Sequence, residues 1–598
     1  MRQIRVPVLV VGAGPAGLTT AALLAKYGVE VLAITRYPGT AHSPRAHITN
    51  QRTVEVFRDL GIEASVRALA TPNELMTNNV WATSFADREI ARLQTWGTGT
   101  KRKADYEAAS PSQMCNAPQH LLEPVILGAA RESGAHILFN TELVSIRQTD
   151  DAVIAQLVDV VTREEIEVIA DYAVGADGAQ SIVVKQLGFE LDGEMGLGCA
   201  VNCWLEVDLE KYTARRPGVL YWMSQPGSDY WVGSGTYICV RPWNEWVLLF
   251  MYNPKDGEPD LSHDAVIARA RATIGDPEIP IRVKAVSKWT INRMVARTMV
   301  KGRVAIAGDA AHRHPPANGL GSNTSVQDAF NLAWKLAMIV KGQASPALLQ
   351  TYSDERQPVA ETVVNRAIKS VGEMLPIAKA LGFTEGQSVE EGWASLDGLF
   401  AEDAAGRKRR KALADAVELQ NYQFNCHGVE LGQHYTSSAI VRDGATFPIP
   451  SRDPELYYHP TTTPGASIPH AWIQHDGEQV STLDLVGRGA FTVLTGAGGQ
   501  AWLDAAQRVG DEFGIEIRAV SIAPGTRTFD VYGDWARQRE IEDHGCVLVR
   551  PDRFVAWRSE ALADDPAGAL RRVLSRILGG TGQARARADA VALALAEA

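Results

Sequence analysis

The first forty residues alternate short apolar runs with glycine. Residues 8–11 form a continuous aliphatic run, which is typical of a parallel strand buried on both faces. A stretch with apolar residues at helical spacing follows and ends at Gly28, and residues 29–34 again have the pattern of a buried strand. The pattern predicts a strand, a helix and a second strand, the unit from which layered α/β folds are built.

Between the first strand and the helix lies a GxGxxG motif. The first glycine of such a motif allows a tight turn, the second lets the backbone approach a pyrophosphate, and the third lets helix and strand pack closely. The helix N-terminus then offers free N–H groups and a partial positive charge to phosphates. A glycine-rich turn without a ligand is the alternative. In this context we predict a dinucleotide site formed by Gly12, Gly14, Pro15, Ala16 and Gly17.

The end of the second strand lacks an expected feature. An acidic residue normally stands there and binds the ribose hydroxyls of the nucleotide. This chain instead has Thr35 followed by Arg36. We expect Thr35 to hydrogen-bond a hydroxyl group, and Arg36 to pair with a phosphate or lie over the adenine.

A second glycine-rich stretch follows a strand-like run near the C-terminus. Residues 495–499 read Thr-Gly-Ala-Gly-Gly, which does not have GxGxxG spacing, and no acid follows a second strand at the right distance. We predict an ordinary strand-to-helix turn in a separate C-terminal α/β domain. One dinucleotide is therefore expected to bind tightly, and any other dinucleotide to bind transiently.

Two more strand-like runs end in an aspartate beside a glycine, at Asp177-Gly178 and at Gly308-Asp309. After the second pair come His312, His314 and a loop rich in proline and glycine. A metal site is one interpretation of the two histidines, but no third ligand stands at metal-binding spacing. We favour a turn that positions loop backbone against a cofactor, and we predict no metal.

Composition excludes several classes of function. The 598 residues are enough for roughly two to four domains, and 45% hydrophobic with 22% charged residues is ordinary for a globular protein. A net charge of -11 argues against a nucleic-acid or anionic-membrane surface. There is no signal-peptide cleavage pattern and no apolar run of about 18 residues. The six scattered cysteines indicate a reducing compartment, so we expect a cytoplasmic protein without disulfides.

The glycine and aspartate motifs together resemble those of the FAD-dependent aromatic hydroxylases, the class A flavoprotein monooxygenases. Further stretches resemble the phenol hydroxylase branch of that family, and within it the bacterial 2,4-dichlorophenol 6-monooxygenases. These stretches are residues 44–53, Gln119-x-x-x-Glu123, Tyr352-x-x-Glu355-Arg356-x-Pro358 and residues 550–558. The likeness extends over essentially the whole chain.

The resemblance implies an α/β, Rossmann-like FAD-binding fold of the p-hydroxybenzoate hydroxylase type. It also implies an inserted, mostly antiparallel substrate sheet and a C-terminal thioredoxin-like domain without a CxxC motif. The expected FAD-binding segments are 1–75, 105–190 and 290–375, and the expected substrate segments are 76–104 and 191–289. After these segments we expect a helical connector (376–445), a linker (446–465) and the C-terminal domain with an alanine-rich tail (466–598). The basic run 407–411 of the connector is interpreted as a solvated face.

The resemblance also assigns roles to residues around the cofactor. Asp309 would hydrogen-bond the ribityl chain, and residues 316–323 would lie beneath the flavin pyrimidine edge. Backbone N–H groups of residues 321–323, with a helix beginning near Ser325, would stabilise negative charge on the reduced flavin. Asp177 would serve both FAD and NADPH, although Val184 stands where relatives have a basic residue. The cofactor-binding residues so implied are Arg45, Gln119, Leu143, Asp177, Asp309, Pro316, Gly319, Gly321, Ser322 and Asn323.

The activity implied is the NADPH- and O2-dependent hydroxylation of a phenol, in particular a chlorophenol, next to its hydroxyl group to give a catechol. In this family FAD carries the reaction through a C4a-hydroperoxide, and NADH is an alternative electron donor. A larger aromatic substrate of the natural-product type and a flavoprotein that does not hydroxylate are the alternatives. The expected partners are a small aromatic substrate, O2 and a second copy of the chain in a homodimer.

The residues expected at the substrate are assigned in the same way. His47 stands where related phenol hydroxylases have an aspartate at the substrate hydroxyl, and a histidine base titrates in a suitable range. A histidine that merely bonds a neighbouring loop is the alternative. Trp289 stands near the position of a tyrosine that contacts the phenol. Tyr221, Trp222 and Pro315 are predicted to line the pocket.

Overall fold

The structure is a computed structural model that describes residues 2–226, 234–384 and 386–580. The alanine-rich tail predicted at the C-terminus lies outside the described residues. Within the described ranges, no helix is both long enough and apolar enough to cross a membrane.

The N-terminal part begins with the predicted strand, helix and strand, since its aliphatic runs are buried on both faces. Strand β1 pairs in parallel with β2, and α1 connects them. A short strand and two further helices follow. The elements are β1 (Arg2–Val11), α1 (Pro15–Lys26), β2 (Val31–Ile34), β3 (Ile48–Thr49), α2 (Gln51–Leu60) and α3 (Glu63–Leu69).

The next part of the chain contributes to two different sheets. Strands β4 and β5 form an antiparallel pair, whereas β7 to β10 join the sheet that contains β1. The elements are β4 (Asn78–Ala82), β5 (Glu89–Gln94), α4 (Lys103–Ala109), β6 (Cys115–Asn116), α5 (Gln119–Glu132), β7 (His136–Leu138), β8 (Thr141–Gln148), β9 (Val153–Asp159), β10 (Glu165–Gly175) and α6 (Ile182–Leu187).

Long antiparallel strands dominate the middle of the chain. Strand β15 continues to Ala296, so residues 290–296, which the sequence analysis placed in the FAD-binding part, pair with β11. The elements are β11 (Leu191–Glu206), α7 (Glu210–Thr213), β12 (Gly218–Met223), β13 (Gly235–Arg241), β14 (Glu245–Tyr252), α8 (His263–Ile274), β15 (Arg282–Ala296), β16 (Val300–Lys301), β17 (Val304–Ile306) and β18 (His312–Arg313).

Two eight-stranded sheets result from these segments. The first has the order β16-β17-β10-β1-β2-β7, with β9 and β8 beside β10, and its central strands β17, β10, β1, β2 and β7 are parallel. The second has the order β18-β15-β11-β14-β13-β12-β4-β5 and is antiparallel except for the β12–β4 pair. The first sheet is thus discontinuous in sequence, with the second sheet inserted into it.

Helices follow the second glycine–aspartate turn. Helix α9 packs against α1, and α11 and α13 pack against the second sheet's core. Part of the basic run is structural rather than solvated, since Arg409 donates to the carbonyls of Leu381 and Ser395. The helices are α9 (Gly321–Val340), α10 (Gln350–Glu373), α11 (Leu375–Leu381), α12 (Val389–Leu399), α13 (Ala404–Leu419), α14 (Asn421–Phe424) and α15 (His427–Leu431).

The C-terminal unit is a separate α/β layer with the sheet order β22-β21-β24-β25, covered by α17 and α19. Its glycine-rich turn is closed, since a Cβ at Gly499 would lie 1.9 Å from Thr495 Oγ1. The elements are β19 (Trp472–His475), β20 (Glu478–Ser481), α16 (Thr482–Leu485), β21 (Phe491–Thr495), α17 (Gln500–Phe513), β22 (Ile517–Ser521), β23 (Thr528–Phe529), α18 (Asp534–Gln538), β24 (Cys546–Val549), β25 (Val555–Ser559) and α19 (Pro566–Leu578).

A buried ionic cluster joins this unit to the helices of the FAD-binding part. Glu355 of α10 accepts hydrogen bonds from Lys335 of α9 (2.7 Å) and from Arg550 after β24 (2.6 Å). Asp552 pairs with Arg550, and all four side chains are essentially unexposed. The cluster is balanced in formal charge, which makes its burial tolerable.

Candidate active site

Three turns of the first sheet meet at one edge. In register, Val11 lies beside Gly175 and Gly175 beside Ile306, so β1, β10 and β17 end together. The GxGxxG turn, the Asp177-Gly178 turn and the Gly308-Asp309 turn follow these three ends. Because the carboxyl ends of parallel strands form the usual ligand edge of such a sheet, this edge is the candidate cofactor site.

The GxGxxG turn leaves space only where a ligand would need it. Gly12 has φ +110°, and a Cβ on it would lie 2.1 Å from the carbonyl oxygen of Ala176. A Cβ on Gly17 would lie 1.9 Å from the carbonyl oxygen of Gly12. At Gly14, by contrast, the nearest neighbour of such a Cβ is Glu123 Oε1, at 3.9 Å. The backbone at Gly14 and Pro15, where α1 begins, is therefore open to a ligand.

The end of β2 carries Arg36, a cation, and lacks the acidic residue that usually binds the ribose at this position. Thr35 is buried, and its hydroxyl oxygen accepts from the N–H of Tyr37 at 3.4 Å. Arg36 lies over the ring of Tyr37 (5.1 Å) and is half exposed, 3.8 Å from Glu142. A hydrogen bond to Tyr37 raises the pKa of Arg36. Arg36 thus stands as a charged group at the rim of the edge.

Arg45 and Gln119 are joined through the backbone, since the N–H of Gln119 donates to the carbonyl of Arg45 (2.8 Å). The Gln119 amide donates to Glu123 (2.6 Å), whose other oxygen accepts from the N–H of Ala41 (2.6 Å). Burial raises the pKa of Glu123, against the effect of these hydrogen bonds. The predicted residues Arg45 and Gln119 therefore lie together near Gly14.

The two aspartates of the edge are used differently. Asp177 accepts from the hydroxyl of Ser181 (2.5 Å) and from the N–H of Ile182 (2.7 Å), so it caps α6. Burial raises its pKa, although these hydrogen bonds oppose the effect. Asp309 is exposed, and within the described residues its carboxylate makes no hydrogen bond or ion pair. Asp309 is thus the carboxylate that remains available to a ligand.

The loop after Asp309 ends in a long helix. Pro316 is exposed, Pro315 is buried, and Gly319 has φ +63° with Ile48 Cβ 2.9 Å from where its Cβ would stand. Helix α9 begins at Gly321, four residues before the predicted start near Ser325. The N–H groups of residues 321–323 are therefore the first of the helix and have no carbonyl one turn back. They form the positive end of a 20-residue helix.

The two histidines of the loop have internal partners. His312 Nε2 lies 2.7 Å from Asp328, which also binds Arg356 (2.8 Å). His314 Nδ1 lies 2.6 Å from the carbonyl oxygen of Pro315, and burial lowers the pKa of His314 to about 4. Within the described residues no group of three or more histidine, cysteine or acidic side chains is arranged to hold a metal.

Trp222 and Trp289 lie on the same face of the second sheet, the tryptophan face. Trp222 donates to Asn79 (2.7 Å), and Trp289 donates to Asn202 (3.0 Å). Tyr221 points to the opposite face, because neighbouring residues of a strand alternate. There it packs against Phe85 in an aromatic core and donates to a carbonyl. Tyr221 cannot line the same pocket as Trp222, and this part of the prediction is corrected.

His47 directly precedes β3 and lies beside strand β13 of the second sheet. Its carbonyl accepts from the N–H of Ala117 (2.8 Å), and its ring approaches the carbonyl of Cys239 on β13. Burial lowers the pKa of His47 to about 4, and the neighbouring His120 adds to this effect. Its Nδ1 is buried and has no hydrogen-bond partner among the described residues. The ring is therefore neutral near pH 7 with Nδ1 open as an acceptor, and its lowered pKa makes it a weaker base than the ordinary histidine expected from the sequence.

Comparisons with known proteins agree with this geometry. The profile of the FAD binding domain matches residues 5–367, and the profile of the aromatic-ring hydroxylase C-terminal domain matches residues 461–581. The chain belongs to the FAD-dependent aromatic-ring hydroxylases. It is 46% identical over 577 residues to a 2,4-dichlorophenol 6-monooxygenase of Delftia acidovorans, covering 96% of this chain and 98% of that one.

Other members of the family are similarly close. A phenol 2-monooxygenase of Pseudomonas sp. (strain EST1001) is 42% identical over 572 residues, 96% of this chain and 93% of the relative. The crystal structure of the flavin-dependent monooxygenase PieE with FAD and substrate matches with a TM-score of 0.93 and 47% identity. The match covers 97% of this chain and 100% of PieE. The structure of aklavinone-11 hydroxylase with FAD and aklavinone matches with a TM-score of 0.78 and 30% identity, over 96% of this chain and 99% of that hydroxylase. The predicted family, fold class and flavin monooxygenase activity are thereby confirmed.

In this aromatic hydroxylase the edge of the first sheet fits FAD. The open backbone at Gly14 suits a pyrophosphate, the free carboxylate of Asp309 suits a ribityl hydroxyl, and the start of α9 suits an electron-rich flavin ring. Leu143, by contrast, is buried in the core of the first sheet. How far each side chain contacts the cofactor stays a prediction from the family.

Two residues near His47 were not singled out by the sequence analysis. His120 on α5 makes an edge contact with the ring of Trp204 on β11, with centroids 5.3 Å apart. Trp204 lies on the same face of the sheet as Asn202, two residues earlier on β11, and as Trp289 on the paired strand β15. The only signal in the sequence was the position of His120 directly after Gln119, because no local pattern relates residues 120 and 204.

Proposed function

We propose that this enzyme hydroxylates a phenol next to its hydroxyl group and gives a catechol. One atom of O2 enters the ring, the other leaves as water, and NADPH with a proton supplies the two electrons. A chlorophenol is the first candidate substrate, since two of the relatives above are named for phenol and 2,4-dichlorophenol. NADH is a second possible donor. The homodimer and the cytoplasmic location stay predictions from the sequence.

The observation that carries this proposal is the neutral ring of His47, whose Nδ1 has no partner among the described residues, directly before Ile48, which packs against Gly319 of the loop. Oxygen transfer to an aromatic ring is favoured when the ring carries a phenolate rather than a phenol. A base within reach of the hydroxyl group therefore speeds the reaction. His47 Nδ1 is a buried acceptor with nothing else to accept from in the described residues.

The remaining residues hold the reactants. When bound, FAD supplies the electron transfer from NADPH and the activation of O2, and the protein supplies position and water exclusion. Gly14 and Pro15 would receive the pyrophosphate, and Asp309 the ribityl chain. The N–H groups of residues 321–323 would face developing negative charge on the flavin. Trp222 and Trp289 would form the apolar wall against which the phenol ring packs.

The test is oxygen uptake and NADPH oxidation by the purified, FAD-loaded enzyme with a panel of phenols, followed by product analysis. The panel contains phenol, mono- and dichlorophenols and larger phenols, and each is run without NADPH as a control. Phenol-stimulated NADPH oxidation with one catechol formed per O2 supports the proposal. If no phenol stimulates NADPH oxidation, or only hydrogen peroxide forms, the proposal is rejected.

A further inference from the structure

Three buried ring nitrogens at one end of the tryptophan face lack a hydrogen-bond partner within the described residues. They are His47 Nδ1, His120 Nδ1 and Trp204 Nε1. The indole N–H groups of Trp222 and Trp289, on the same face, are both satisfied by asparagines of the sheet. Trp204 therefore differs from these two tryptophans in presenting a donor with no internal acceptor.

The register of the second sheet relates the strands that these groups contact. Trp204 of β11 lies opposite Val247 of β14, which lies opposite Ile238 of β13. The ring of His47 approaches the carbonyl of Cys239, the residue after Ile238. The backbone positions of Trp204 and Ile238 are two strand spacings apart, about 10 Å. His47 and Trp204 therefore lie at the same end of the second sheet, but on or beside different strands.

His120 lies near both His47 and Trp204. Its ring touches Trp204, and burial lowers its pKa to about 4, with the nearby charges of Glu245, Arg241 and Lys284 acting in both directions. A neutral imidazole can donate or accept at Nδ1 according to its tautomer. An indole N–H can only donate. Together they suit an oxygen that has free lone pairs.

We propose that Trp204 Nε1 and His120 Nδ1 bind a second oxygen substituent of the substrate, on the side of the ring away from the hydroxyl group at His47. The proposal rests on the proposed function and narrows its substrate class to phenols with an additional hydroxyl, alkoxy or carbonyl oxygen. Buried donors are normally satisfied in a loaded site, and a chlorine substituent is a poor acceptor for an indole N–H.

The experiment compares phenols that differ only in this oxygen. The pairs are 3-methoxyphenol with 3-ethylphenol and 4-methoxyphenol with 4-ethylphenol, whose substituents are of similar size. Dissociation constants are measured with the oxidised, FAD-loaded enzyme and no NADPH, from the change in flavin absorbance. The variants are Trp204→Phe, which keeps an aromatic ring, and His120→Leu. Trp246→Phe is the matched control, since it removes an indole N–H that has an internal acceptor, on the opposite face of the sheet.

We expect the unmodified enzyme to bind at least one methoxyphenol roughly tenfold more tightly than its ethyl partner, the effect of one hydrogen bond to a buried group. Trp204→Phe should bring that ratio close to one while leaving the ethylphenol affinity unchanged, and Trp246→Phe should preserve the ratio. Equal affinities within both pairs would overturn this inference but not the proposed function. So would a Trp204→Phe variant that binds the methoxyphenol and its ethyl partner more weakly to the same degree. An enzyme that binds none of the four phenols would overturn the proposed function as well.

Discussion

The side-chain amide of Asn323 donates to the backbone carbonyl of Ile48 across 2.8 Å. Its oxygen accepts from the N–H of Asn50 at 3.0 Å, and its N–H2 group also donates to the carbonyl of Gly319. One buried side chain in the first turn of α9 thus holds the segment that directly follows His47. The helix end that would face the flavin and the candidate base are therefore positioned together.

Replacing Asn323 by alanine removes all three hydrogen bonds and leaves buried backbone groups unpaired. We expect the free energy of unfolding to fall by about 2–4 kcal/mol and FAD to bind more weakly. Urea unfolding and titration of the apoprotein with FAD measure the two effects. Gln479→Ala, at an exposed position of β20 in the C-terminal unit, is the control and should change neither quantity much. An Asn323→Ala protein as stable as this control would contradict the assignment.

Asp309→Ala should yield protein with little bound FAD, because it removes the carboxylate that would take the ribityl hydroxyl group. The measurement is the ratio of flavin to protein absorbance after purification, with the dissociation constant for added FAD. Asp171→Ala alters an exposed acid of β10 away from the cofactor edge and should retain full flavin content. Full flavin occupancy in Asp309→Ala would remove Asp309 from the site.

His47→Ala should keep FAD and still be reduced by NADPH, yet lose most hydroxylation. A missing general base typically costs about 100- to 10,000-fold in rate. The loss should be greatest for unchlorinated phenols, whose hydroxyl pKa is high, and smallest for polychlorinated phenols that ionise unaided. Product formed per NADPH, measured for phenols of graded acidity, gives the comparison. Equal losses for all of them, or none, would rule out His47 as the base.

The pH profile tests the same residue without a substitution. Since the pKa of His47 is lowered to about 4, its ring is neutral and able to accept a proton at every pH above that value. The acidic limb of kcat/KM, which reports the free enzyme, should therefore lie near pH 4 rather than near the ordinary histidine value of about 6.5. A limb at pH 6–7 in a protein that is still folded would contradict the buried environment described for His47.

Glu430 gives a prediction about stability. Burial raises its pKa to about 8, although Cys426 and Arg102 oppose the effect, and one of its oxygens has no partner in the described residues. An unfolded chain releases this proton near pH 4.3, whereas the folded chain keeps it to about pH 8. The free energy of unfolding therefore loses a contribution, at most roughly 5 kcal/mol, as the pH rises between these values.

Glu430→Gln has no proton to lose, so it should match the unmodified enzyme at pH 5 and become more stable than it by pH 8. Urea unfolding at pH 5, 6.5 and 8 measures the difference. Glu418→Gln, at an exposed position of α13, is the control and should show no such trend. A difference between Glu430→Gln and the unmodified enzyme that is constant with pH would mean that Glu430 is ionised in the folded protein.

Local sequence patterns were sufficient to predict the turns that form the cofactor edge. The GxGxxG turn and the two aspartate turns each follow an aliphatic run, and parallel strands necessarily bring such turns to one edge. The start of α9 was placed four residues late, because the glycines and serine before Ser325 are poor helix formers and tertiary contacts override their propensity. Tyr221 was assigned to the pocket without applying the alternation of side chains along its strand.

Relationships across the fold were beyond reach of the sequence. His120 and Trp204 meet because helix α5 of the FAD-binding part lies against strand β11 of the second sheet. No periodicity of the sequence encodes that contact. The lowered pKa of His47 depends likewise on burial beside a sheet that is built from separate segments of the chain, including Cys239 of β13. The family resemblance named a base, but only the packing shows in which pH range it accepts protons.

The buried cluster of Lys335, Glu355, Arg550 and Asp552 limits how this enzyme can be recombined. Its two acids and two bases come from both sides of the boundary between the FAD-binding part and the C-terminal unit. A chimaera whose C-terminal unit has an uncharged residue at position 550 but keeps Asp552 would bury two acids with only one base. Domain exchange within the family therefore has to move these four positions as a set.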